Sequence, residues 1–72
     1  MESGLNLELY AFEIKRITKK IDTLTYHVHR CKEVNDKIKL IAMISANSVY
    51  VASLVIEVKK EMLIINDSLF IN

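Results

Sequence analysis

Between Leu7 and Cys31 the apolar positions recur at alternating steps of three and four: Leu7, Tyr10, Ile14, Ile17, Ile21, Leu24, Val28, Cys31. That is an a/d heptad sustained over more than three repeats, the pattern of one helix packed lengthwise on another. A strand is excluded because its side chains alternate with a period of two. Glu8, Glu13, Lys15, Arg16, Lys19, Lys20, Asp22 and Arg30 fall mostly on the opposite, solvated face. Asn6 is a candidate N-cap, with Leu5 before it and Tyr10 after it at hydrophobic-staple spacing.

A polar break follows, from Lys32 to Lys37, in which Asn35 or Asp36 can cap a second helix. One face of that helix reads Leu40, Ile44, Val51, Leu54, Val55, Val58, Met62, Ile65. So short a connection makes the two helices antiparallel neighbours. The prediction is an all-α fold: a single coiled-coil-like hairpin of two antiparallel helices, at about 6–32 and 36–66, with a short tail. Register from the turn puts Ile17 near Val51 and Leu24 near Ile44, give or take a turn. Asn66 to Asn72 reads as a helix stop followed by Leu69, Phe70 and Ile71, which either fold back or wait for a partner.

The far side of the second helix is not polar. It carries Ala42, Ser45, Ala46, Val49, Ala52, Ser53 and Ile56, flanked by Met43 and Tyr50, and no charge occurs from Leu40 to Ile56. A helix apolar or small all round is buried on more than one side. The first helix covers only one, so a second cover is expected. The candidate partner-binding residues are Met43, Val49, Tyr50 and Ile56 on this face, together with Leu5, Leu9 and Phe12, which lie off the heptad stripe near the start of the first helix. Phe12 and Ile56 are expected in one continuous patch.

Composition narrows the choice of function. Hydrophobic residues make up 51% of the 72 and Pro is absent, with Gly4 the one glycine. So few breakers favour helix over a many-turned β fold. A core of this size supplies roughly 3–5 kcal/mol of net stability, and small scaffolds usually lean on a disulfide, a metal or a partner. Cys31 is the lone cysteine, which excludes an internal disulfide and fits a reducing compartment. His27, His29 and Cys31 do not converge on a helix, since residues two apart point to opposite sides, and zinc wants three or four ligands. No metal, cofactor or catalytic site is expected: no carboxylate sits in an apolar stripe with a partner that raises its pKa, and no nucleophile–base order or phosphate loop is present. The chain is read as a non-enzyme.

The net charge is +1, and the basic run Lys15, Arg16, Lys19, Lys20 is diluted by Glu13 and Asp22, so nucleic acid is not the expected partner. The uncharged run contains Asn47 and three serines and sits at the lower edge of a membrane span, so no span is expected. Met1 to Leu9 carries two glutamates and no basic segment, so no signal peptide is expected.

Length, hairpin pattern and the doubly apolar second helix, from Asn6 to about Asn66, together resemble one family: the small co-chaperones of the type III secretion needle subunit, of the EscE/YscE type. The resemblance implies a bacterial cytoplasmic hairpin that joins a second, tetratricopeptide-like (TPR-like) chaperone and with it keeps the needle subunit unpolymerised. It implies no catalytic residue. The alternative is a homo-oligomer in which two hairpins form a four-helix-bundle regulator or adaptor, since self-association buries the second face equally well.

Overall fold

The computed structural model describes the backbone of residues 2–71 and the side-chain surroundings of residues 6–65. It is the antiparallel hairpin that the two stripes predict. Helix α1 spans Glu2–Arg30 and helix α2 spans Val34–Ile71, and they pack on one another to give a rod of 59 × 15 × 13 Å. At 1.5 Å per residue the 38 residues of α2 account for about 57 Å, nearly the full length. Both helices meet at the turn, and α1 has 29 residues, so the far end of α2 runs past the start of α1 by about 13 Å.

The helix ends differ from those read in the sequence. Asn6 lies inside α1, so it caps nothing, and Asn35 and Asp36 lie in the first turn of α2. At the other end, α2 continues through Asn66 to Ile71 instead of stopping there. The physical reason is the lack of breakers. A lone Gly in a helix costs about 1 kcal/mol and a cap contributes about as much, so neither Gly4 nor Asn66 halts propagation where no proline intervenes. The side chains of Leu5, Leu69, Phe70 and Ile71 lie outside the described residues.

Three residues, Cys31 to Glu33, make the turn. The Cys31 amide donates to the His27 carbonyl at 2.9 Å and to the Val28 carbonyl at 3.3 Å, the shared bond common at helix ends. The Lys37 amide donates to the Glu33 carbonyl at 3.0 Å, which makes Glu33 the first residue of the α2 ladder. His27, His29 and Arg30 close α1 and Asp36 opens α2, each suited to the helix dipole it meets.

All eight residues of the first heptad stripe, seven on α1 and Cys31 in the turn, are buried or half-buried, with Ile17 only 3% exposed and Leu24 also buried. The α2 side of the seam departs from the predicted stripe. The shielded residues are Lys37, Leu40, Ile44, Asn47, Val51, Leu54, Val58, Glu61 and Ile65, again alternating three and four, with Glu57 beside them. Val55 and Met62 were expected on this face, yet they are exposed. On a helix that is apolar all round, side-chain hydrophobicity does not single out one row. The straight heptad of α1 does, and it draws in polar residues that stand in the matching row. Ile17, Leu24 and Leu54 are the whole of the buried apolar core among the described residues.

Candidate interaction surface

The hairpin leaves most of its large apolar side chains outside. Apart from Leu9, Phe12 and Tyr26, every exposed large hydrophobic residue among those described lies on α2, from Val34 near the turn to Ile64 at the far end. Of the residues singled out in the sequence, Val49 is 67% exposed and Ile56 53%, with Met43 and Tyr50 less so. Two polar side chains within this stretch are answered on their own helix. The Asn47 amide Nδ2 donates to the Met43 carbonyl at 2.7 Å, and the Ser53 hydroxyl to the Tyr50 carbonyl at 2.7 Å. By length and composition, Val34–Ile65 is also apolar enough to cross a membrane. Its uncharged part is 17 residues, about 25 Å of helix against a hydrocarbon core of about 30 Å, and it is bounded by Lys39 and Glu57.

Tyr50 has a second task that the sequence did not disclose. Its hydroxyl donates to Glu13 Oε2 on α1 at 2.9 Å. Arg16 holds the same carboxylate side-on, Nε to Oε1 and Nη2 to Oε2, both at 2.8 Å. The Tyr50 bond is the one side-chain hydrogen bond between the helices among the described residues, and it marks their register. Four residues on from Glu13 is Ile17, and four back from Tyr50 is Ala46, so Ile17 lies about level with Ala46 and Asn47. That is one turn nearer the loop than the Val51 expected from the turn alone, within the stated margin. The Arg16 bonds, then the Tyr50 bond, hold the Glu13 carboxyl at about 2, against an ordinary 4.5. The same carboxylate raises both the Tyr50 phenol and the Arg16 guanidinium above their usual ranges. An i, i+3 ion pair is visible in a sequence; the tyrosine 37 residues away is not.

Leu9 and Phe12 stand clear of the seam, Phe12 71% exposed. Phe12 lies about 200° around the helix from Ile14 and about 140° from Ile17, on the back of α1. There it lines a groove with Lys15, Arg16 and Lys19, all α1 residues. The structure does not bring Ile56 into that groove. Around His27 and Cys31 the contacts are local: Tyr26 meets His27 edge-on at 5.7 Å and carries the Arg30 guanidinium at 5.2 Å, while the half-buried Cys31 thiol donates to the Glu33 carbonyl at 3.6 Å. No group of three or more metal-binding side chains gathers among the described residues. Comparison with models of protein families, with curated proteins and with solved structures finds no match to this chain.

Proposed function

We propose that this chain works by binding other proteins, as a small co-chaperone of the EscE/YscE type in a bacterial type III secretion system. The observation that carries the reading is the outward side of α2, which carries exposed large apolar residues at intervals from Val34 to Ile64, uncovered by α1. Apolar surface of that extent on a small domain marks an interaction site. The core beneath it is slight, so the hairpin gains stability from whatever covers it. Met43, Val49, Tyr50 and Ile56 form the principal contact area, and Leu5, Leu9 and Phe12 a second one on α1. The family resemblance supplies the partners: a TPR-like chaperone in the cytoplasm and, through the pair, the needle subunit held unpolymerised. The chemistry asked of the chain is shape and apolar contact, with no catalytic step.

The test is co-expression with the TPR-like chaperone and needle subunit encoded in the same genome, followed by size-exclusion chromatography with light scattering. The expected result is a stable complex containing one copy of this chain, aggregation-prone when the chaperone is left out. A clean homodimer that ignores both candidates would replace this reading with the four-helix-bundle regulator.

A further inference from the structure

Helix α2 carries a second heptad besides the one it packs on α1. Ile38, Ser45, Ala52 and Lys59 alternate with Ala42, Val49, Ile56 and Leu63 in steps of four and three, and all of them are exposed. At about 100° and 1.5 Å per residue, this row lies about 150° around the helix from the seam and is about 38 Å long. A row of this kind suits a further helix packed lengthwise. The exposed area is also sufficient for one. A compact monomer of 8.3 kDa exposes about 4,600 Å². This chain exposes 5802 Å², about 1,200 Å² more than that relation gives. A standard interface takes about 800 Å² from each partner.

The row is complementary to itself when reversed. In an antiparallel pair of helices the two alternating series of a heptad face one another, so Val49 meets Ala52 of a second copy, Ile56 meets Ser45, and Leu63 meets Ile38. In the central layers a large side chain therefore stands against a small one, which lets the helix axes approach to about 8 Å without overpacking. Lys59 passes over Ala42 with its charge in water. No charged residue occurs from Leu40 to Ile56, so the middle of such a contact buries none. A parallel pair would set each residue against its own copy, Ile56 on Ile56 next to Ala52 on Ala52, with Lys59 on Lys59 beyond. We propose that this face, when no other protein holds it, takes a second copy of the chain, docked antiparallel about a two-fold axis between Val49 and Ala52. Only the two α2 helices touch, and each α1 stays on the outside. The proposal rests on the reading of the outward side of α2 as a contact surface and adds a competitor: the second copy and the chaperone use the same residues, so the chaperone must take the dimer apart.

The test uses the full chain and two measurements. Sedimentation equilibrium should show a monomer–dimer equilibrium for the parent. Ala52→Ile puts two large side chains in one layer and should weaken the dimer at least tenfold with helicity unchanged, since residue 52 is exposed in the hairpin. Adding Val49→Ala restores one large and one small side chain per layer and should bring the dissociation constant back to within threefold of the parent's. Non-specific apolar adhesion responds the other way, because Ala52→Ile adds apolar surface; tighter association of that variant overturns the proposal. The second measurement is pulsed electron paramagnetic resonance with a nitroxide on Lys39→Cys, in a chain that also carries Cys31→Ser. An antiparallel dimer places the two labels about 35 Å apart. A parallel one places them under about 20 Å apart, and that result overturns the proposal. If the parent is monomeric at all concentrations yet the chaperone captures it, the proposal fails and the protein-binding reading survives. If the dimer forms with this geometry and the chaperone does not take it apart, the dimer stands and the co-chaperone reading falls. Loss of the dimer to phosphatidylcholine vesicles assigns α2 to a bilayer and overturns the proposal.

Discussion

Glu13 shows how a side chain that looks merely solvated acquires a structural task. Its carboxylate accepts from Arg16 on its own helix and from Tyr50 on the other. The charged form is favoured in the folded chain, which moves the carboxyl from 4.5 to about 2. A group whose pKa is lowered by folding stabilises the fold above its unfolded pKa, and that contribution is lost as pH falls through the folded one. Acid melts followed by circular dichroism should therefore show the parent losing more stability than Glu13→Gln between pH 4.5 and 2. Parallel curves for the two proteins would remove Glu13 from the account. The phenol shifts the other way: its raised pKa means that the Tyr50 bond persists below about 10 and is lost in stronger alkali, and Tyr50→Phe should abolish that alkaline step. Glu61 poses the opposite case. It stands in the seam with Oε1 shielded from solvent and without a hydrogen-bond partner among the described residues. Leaving such an acceptor unsatisfied costs about 1–3 kcal/mol. Glu61→Leu should raise the melting temperature, and a lowered one would show that the carboxylate is held by a favourable contact. Neither role is legible in the sequence, since both depend on which residue of one helix stands beside which residue of the other.

At the level of the helices, the sequence was most informative where pattern and geometry agree. The α1 stripe has one apolar row against a charged background, and every member of it is shielded. The α2 stripe predicted by the sequence differs from the packed row at Val55 and Met62 because apolar residues occupy nearly every row of that helix, so composition carries no directional signal. What selects the packed row is the straight heptad of the partner helix, at the cost of admitting Lys37, Asn47, Glu57 and Glu61. A polar residue at such a position helps to set register while lowering stability. The helix boundaries differ from the predicted ones for a related reason: caps contribute about 1 kcal/mol and do not end a helix that can continue. The packed row yields a direct contrast. Leu54 is buried and Met62 is 52% exposed. Truncating a buried Leu to Ala costs about 2–5 kcal/mol, against roughly 3–5 kcal/mol for a whole core of this size. Leu54→Ala should leave no cooperative thermal transition in the isolated chain, while Met62→Ala should melt almost as the parent does. Equal destabilisation by the two would mean that Met62 packs inward after all.

For the molecule as a whole, the quantity that matters is how little the hairpin buries. Two helices share one seam, and the second has apolar residues on its remaining faces, including Leu63 and Ile64 towards its far end. Folding therefore removes only part of the apolar surface that a single small domain normally hides. The rest remains in contact with water until something covers it, and each buried methylene contributes about 0.8 kcal/mol to that association. The isolated chain is expected to self-associate with rising concentration. Sedimentation velocity should show its average mass climbing above that of one chain in the micromolar range. Val49 and Ile56 are both exposed and outside the seam. Replacing both by Ser should lower the self-association by at least tenfold in concentration. Helicity by circular dichroism should stay the same, because surface changes away from packed or strained features usually alter stability by no more than about 0.5 kcal/mol. The same double variant separates the two settings that an apolar α2 would suit. If α2 were held in a bilayer, the parent expressed in cells would sediment with membranes and resist extraction by alkaline carbonate. If it is held by protein, the parent will appear in the soluble fraction whenever its partner is supplied, and the variant will remain soluble without one. A parent chain that is monomeric at all concentrations, with a sharp thermal transition, would show that the outward face of α2 needs no cover.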